Sequence, residues 1–262
     1  MERGVRPRIV MIGAGNVATH LAIALAKCAD VIQVFSAHID NAESLANAIP
    51  MATAINNIDD MDNTADCYII SIKDDAISQF LSKIKPNNAL WVHTSGSVPA
   101  SVFVGRAEKY GVMYPLQTFT RNVPVDVAQI PFFIEGNSPE VTNEIRQLAQ
   151  LMSPIVHEAD SDKRKLLHIA AVFACNYANH LWAIADDILG KADLPFSTLL
   201  PLIRATIEKA ASTSPSEGQT GPARRGDTNI IDSHLKMLPE PEAHIYRLLA
   251  DCIINKYNSV SK

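Results

Sequence analysis

Ile9-Val10-Met11-Ile12-Gly13-Ala14-Gly15-Asn16-Val17-Ala18 is a short apolar run, then a Gly-x-Gly-x-x-Ala turn, after which Val17, Leu21 and Leu25 recur at helical spacing. The pattern predicts strand, turn, helix. The first glycine permits the tight turn, and the second lets backbone N–H groups approach a pyrophosphate at the helix N-terminus. Ala18 is small enough for helix and strand to pack closely. Gly13, Ala14, Gly15, Asn16 and Val17 are therefore expected dinucleotide contacts, with a bare structural turn as the alternative.

Outward from this turn the alternation continues. Strands are expected over 31–35, 67–72, 89–94, 111–114, 132–135 and 155–158, and helices over 42–49, 74–84, 98–110 and 139–152. Short connections between alternating elements imply an α/β fold with a doubly wound, mostly parallel Rossmann sheet. This defines an NADP-binding domain over residues 1–160. Beyond it no strand-like run recurs. Helices over 162–189, 196–213, 228–238 and 241–258 form an all-α domain, 161–262, expected to serve substrate binding and dimerisation.

The 262 residues are 47% hydrophobic, enough for a sizeable core, and carry a net charge of -5. That balance argues against nucleic acid or an anionic membrane surface as partner. Met1 to Arg8 runs straight into the first strand without the features of a secretion signal. The longest apolar stretch, 166–185, is interrupted by His168, Asn176, Asn179 and His180, so it is expected to be a buried helix and not a membrane span. Cys28, Cys67, Cys175 and Cys252 form no Cys-x-x-Cys pair and read as reduced core thiols in a cytoplasmic protein. No metal site is expected.

Cofactor choice turns on the end of the second strand, Val34-Phe35-Ser36-Ala37-His38. No acid is present to hold a ribose 2'-hydroxyl or to repel a 2'-phosphate, so NADP is expected over NAD, held through Ser36 and His38 with Asn41 nearby. The usual arginine is absent at Ala37. Ligands bind outside the carboxyl ends of parallel strands, so Ile72, Lys73, Thr94 and Ser95 are expected beside the nicotinamide half. Asp74 and Ser97 equally suit helix N-caps.

On the long helix, Lys165, His168, Asn176, Asn179, His180, Asp186 and Asp187 fall within roughly 120° of one another at 100° per residue. Hydride transfer to C=O or C=N leaves negative charge on the heteroatom, which a nearby proton donor relieves. His168 is the expected donor. Asn176 and Asn179 would orient the substrate, and Arg225, in the polar loop before the helix at 228, would anchor an anion or pair with an Asp.

The chain resembles a family of Rossmann-like NADP oxidoreductases whose helical second half is a domain of unknown function. The resemblance rests on 12–18, His93-Thr94-Ser95-Gly96-Ser97, Tyr114-Pro115-Leu116-Gln117-Thr118-Phe119, His168 through Asn176 to Asn179-His180, and Thr220-Gly221-Pro222 with Arg225-Gly226-Asp227. More distantly it is similar to pyrroline-5-carboxylate reductase, ketopantoate reductase, deazaflavin-dependent NADP oxidoreductases and the 3-hydroxyacid dehydrogenases, the helical domain being of the 6-phosphogluconate-dehydrogenase type. The resemblance implies a homodimer, and NADP(H)-dependent hydride transfer with a small carbonyl or imine compound held between the two domains. Several of those relatives carry a helical Lys and Asn four or five residues apart, whereas Ile169 and Ala170 stand at that spacing from Lys165 here. This departure motivates a second reading, a non-catalytic NADP(H)-binding sensor.

Overall fold

The computed structural model describes residues 6–258, so most of the Met1 to Arg8 stretch lies outside the described residues. The chain divides into two compact units, 1–176 and 177–262. The division falls later than the expected boundary after 160.

The first unit is built on eight strands: β1 (Arg8–Ile12), β2 (Asp30–Phe35), β3 (Thr53–Ile55), β4 (Cys67–Ile70), β5 (Leu90–His93), β6 (Lys109–Pro115), β7 (Phe132–Gly136) and β8 (Val156–Glu158), in the order β3-β2-β1-β4-β5-β6-β7-β8. From β1 the chain builds β2 and β3 on one side, then crosses to β4 on the other. That reversal opens a crevice at the carboxyl ends of β1 and β4, where doubly wound sheets bind ligands. All pairings are parallel except β6 with β7, which is antiparallel from Gly111↔Gly136 to Pro115↔Phe132. The long connection over 116–131 returns the chain without a crossover helix.

Both faces of the sheet are covered, and the alternation of side chains along β1 divides the core between them. Ile9 and Met11 pack with α1 (Asn16–Leu25), α2 (Ile39–Ala46) and α4 (Pro139–Gln150) through Leu21, Leu25, Leu45 and Ile145. Val10 and Ile12 face the other way, toward Ile77, Phe80 and Leu81 of α3 (Asp74–Leu81) and toward Trp91 and Phe103. Ser138 accepts a hydrogen bond from Val141 N at 3.2 Å and so caps α4. Asp160 caps α5 (Ser161–Ala171) in the same way, through Lys163 N at 2.8 Å.

Two differences from expectation have local causes. The helix expected over 98–110 is a 3-10 turn, Ala100–Phe103, because Pro99 precedes it and Gly105 follows at φ +73, which halts any continuation. Edge strand β3, three residues long, is too short for its period to register in the sequence.

α5 belongs with the sheet unit because Leu167 packs against Ala100, Val112 and Tyr114. A π-helical segment, Val172–Tyr177, follows it. Its wider turn breaks the 100° register on which the polar stripe was placed.

The second unit holds α6 (Ala178–Gly190), α7 (Leu200–Ser212), α8 (Pro222–Arg225), α9 (Thr228–Leu235) and α10 (Glu242–Asn258). His234 Nδ1 bonds the Tyr246 hydroxyl at 2.8 Å, and the Arg224 guanidinium lies 4.8 Å from the Tyr257 ring centre. These contacts tie α9 and α8 to α10. Among the described residues of this unit only Ile231 and Ala250 are buried hydrophobics. The expectation of a buried helix over 166–185 fails, with Leu166, Phe173 and Tyr177 all more than half exposed. Cys175 and Cys252 are likewise exposed, so only Cys67 is a fully buried thiol, and all four cysteines are free.

Candidate active site

The turn after β1 is fixed by sterics. Gly13 has φ +117, and a Cβ there would stand 2.1 Å from the Ser71 carbonyl oxygen. No side chain fits. Its N–H donates to the Phe35 carbonyl at 2.8 Å, joining the turn to the end of β2. At Gly15, the residue before α1, an added Cβ would meet nothing within 4 Å. The first turn of α1 contains no acid and has no side-chain cap, so its N–H groups face open space with the helix dipole behind them.

That space is part of a groove of about 850 Å³ along the carboxyl ends of the central strands. Gly13, Ala14, Gly15, Asn16 and Val17 line it from β1; Ser36 and His38 from β2; Ile72 and Lys73 from β4; Thr94 and Ser95 from β5. Every cofactor contact expected from the sequence is thus brought to one groove. At one end the apolar Phe35, Ile58 and Phe80 provide surface for a base, Phe35 and Phe80 having ring centres 5.4 Å apart. Lys73, Lys83 and Arg121 face a single lining carboxylate, Asp74, among the described residues, which leaves the groove suited to an anionic ligand.

Some of these side chains also hold local structure. Ser95 Oγ accepts from the N–H groups of Ser97 and Val98, both at 3.0 Å, so Ser95 caps this bend while Ser97 starts no helix. Thr94 Oγ1 donates to Ser71 Oγ at 3.1 Å and links the ends of β5 and β4. Asp74 lies in the first turn of α3, one residue past the capping position, which Lys73 occupies.

His168 lines the same groove, its Nδ1 hydrogen-bonded to the Tyr114 hydroxyl at 3.1 Å. The two rings meet edge to face, with centres 5.9 Å apart. Gly96 makes room for this pair, since a Cβ there would lie 2.8 Å from His168 Nδ1 and 2.9 Å from Tyr114 Cζ. Burial raises the Tyr114 phenol above its ordinary value, while nearby Arg164 opposes the rise and Asp74 adds to it.

Arg164 is wholly buried. Its Nη1 bonds Glu135 Oε2 at 2.5 Å and its Nη2 the Val98 carbonyl at 2.7 Å, while Ser161 Oγ also donates to Glu135. The ion pair fastens α5 to β7, which presents His168 to the end of β6. His93, on β5, is fully buried against Phe103, with burial first and the Arg164 charge second pushing its imidazole down to about 3. It is a neutral core group.

The remaining expected residues are placed elsewhere. Asn176 is exposed in the π segment and is not among the groove's lining residues. Asn179 and Arg225 belong to the second unit, where Arg225 pairs with Asp227 through Nε at 2.9 Å and Nη2 at 2.8 Å. Asp227 therefore serves Arg225 and makes no side-chain cap on α9. The structure adds Tyr114, Gly96 and Arg121. The strand-end rule could have found Tyr114, near the carboxyl end of β6, but nothing periodic marks Arg121 in its irregular loop.

Among the described residues no cluster of His, Cys, Asp and Glu could hold a metal ion, and no helix is long and apolar enough to cross a membrane. The family model described as NADP oxidoreductase, coenzyme F420-dependent, matches residues 8–94. A domain of unknown function, DUF2520, matches residues 130–253. A Bacteroides fragilis protein of known crystal structure, provisionally named an NADP oxidoreductase, is 41% identical with a TM-score of 0.90, over 95% of this chain and 98% of that one. An imine reductase from Myxococcus stipitatus in complex with NADP+ is 15% identical, TM-score 0.65, over 97% and 93%. A 1-pyrroline-5-carboxylate reductase from Streptococcus pyogenes is 15% identical, TM-score 0.63, over 97% and 99%. These last two share the fold. No curated protein matched. With a near full-length relative at 41% identity and both family models in place, the chain belongs to the NADP oxidoreductase family that joins a Rossmann domain to a helical domain of unknown function.

Proposed function

We propose that the protein is an NADP(H)-dependent reductase or dehydrogenase of a small carbonyl or imine compound. The observation that carries the reading is the Tyr114–His168 pair standing in the same groove as the glycine turn. The groove fits the cofactor because Gly15 faces open space and the first turn of α1 offers unpaired N–H groups without an acid to repel phosphate. Ser36, His38 and Asn41, with no acid among them, would receive the 2'-phosphate, and Phe35, Ile58 and Phe80 would flank the adenine. NADPH, when bound, supplies the hydride.

The chain's own residues handle the proton. The Tyr114 hydroxyl engages Nδ1 of His168 and fixes the ring, which leaves Nε2 as the nitrogen that delivers a proton to the substrate heteroatom. Asn176 and Asn179 as substrate-orienting groups and Arg225 as an anion anchor belong to the same reading.

The reading includes a homodimer. α6 and α7 contain no buried residue although both are rich in Leu, Ile and Ala, and a unit with almost no core of its own needs apolar cover. A second copy offers the same surface at matching concentration, in a self-complementary contact.

The test is turnover. Incubated with NADPH and a panel of small oxo acids, ketones and cyclic imines, the wild type is expected to consume NADPH, and His168→Ala to lose about 100-fold or more in rate with NADPH affinity nearly unchanged. Undiminished turnover by His168→Ala removes the donor assignment. Tight NADPH binding with no turnover of any compound favours the sensor reading instead.

A further inference from the structure

The connection between β6 and β7 does more than reverse the chain. Over Phe119 to Arg121 it is strapped to the glycine turn: Asn16 Nδ2 donates to the Phe119 carbonyl at 3.1 Å, and His20 Nε2 bonds the Thr120 carbonyl at 3.0 Å. The His20 and Phe119 rings also pack, with centres 5.3 Å apart. Arg121 then reaches across, its Nη2 donating to the carbonyl of Ala14, inside the glycine turn itself. Arg121 lines the groove and enters none of the ion pairs among the described residues.

A guanidinium held at the glycine turn with no carboxylate partner has an electrostatic purpose. The helix N-terminus offers about half a unit of positive charge, while a pyrophosphate brings two negative ones. Resting on a backbone carbonyl, Arg121 is near the turn yet keeps other N–H donors for a second acceptor, and its planar fork matches two phosphate oxygens. We infer that Arg121 is a pyrophosphate-binding residue, delivered to the glycine turn by the 116–131 strap. This rests on the NADP(H) reading and adds a cofactor ligand from a segment outside the glycine motif. Because Asn16 and His20 hold the strap and Arg121 makes the phosphate contact, loop placement and charge can be tested apart.

The test uses the full-length protein and two probes: NADPH, which carries the pyrophosphate, and adenosine 2'-monophosphate, which lacks it. Arg121→Gln keeps a donor for the Ala14 carbonyl and removes the charge. It is expected to weaken NADPH binding at least about ten-fold and to flatten its salt dependence, while leaving adenosine 2'-monophosphate affinity and the ligand-free Tm unchanged. Arg121→Lys should recover part of the loss. Equal weakening of both probes, or a lowered ligand-free Tm, would assign Arg121 to holding the loop and overturn the inference. So would unchanged NADPH affinity in Arg121→Gln, which leaves the NADP(H) reading standing. Failure of the wild type to bind NADPH overturns both.

Discussion

At the scale of single residues, three glycines define what this groove is. Gly13 is demanded by a carbonyl that leaves no room for a Cβ, Gly15 is left open for a ligand, and Gly96 admits the Tyr114–His168 contact. Only the first two were legible in the sequence, because their spacing belongs to a motif, whereas the need at Gly96 comes from two side chains 18 and 72 residues downstream. His168 was legible by residue type on an apolar helix. Its partner is harder to read, since Tyr114 looks like one more apolar strand position and only its place near the carboxyl end of β6 singles it out. Tyr114→Phe keeps the ring and removes the hydroxyl that orients Nδ1, so NADPH consumption should fall about 10- to 100-fold with NADPH affinity within about two-fold of wild type. A steady-state rate that does not change would show that the hydroxyl has no part in the chemistry.

At the scale of elements, strands β1, β4 and β5 place the groove, and their near-continuous apolar sequences reflect burial on both faces. His93 is their buried polar residue. Unfolded, its imidazole takes a proton near the ordinary histidine value of 6.5, and folded it does not until about 3. Between those values the unfolded chain holds the extra proton, so stability is lost as pH falls through this window. The loss approaches ~1.4 kcal/mol per pH unit, or about 2 kcal/mol by pH 5. A neutral replacement, His93→Gln, should show a smaller drop in Tm between pH 7 and pH 5 than the wild type, and an equal drop would refute the account. The expected 98–110 helix failed for an element-scale reason too, since Pro99 and Gly105 bound a segment too short for an α-helix.

At the scale of the molecule, the first unit carries its own two-faced core while the second exposes Leu202 and Ile207 on α7 and Leu248 on α10, each more than half uncovered. Light scattering should therefore give twice the chain mass, and Leu202→Lys with Ile207→Lys should shift the protein toward monomer; a monomeric wild type would end the dimer reading. The sequence by itself determined the Rossmann class, the glycine turn and the strand-end residues that line the groove from β1, β2, β4 and β5, because these depend on local spacing and on the rule that ligands gather at carboxyl ends of parallel strands. It could not determine the antiparallel return of β7, the π segment that breaks the polar stripe, or the approach of Tyr114 and Arg121 to residues 54 and 107 positions away. Those contacts leave no period in the chain. They exist only once the sheet has brought its strand ends together, and so the tertiary structure alone decided them.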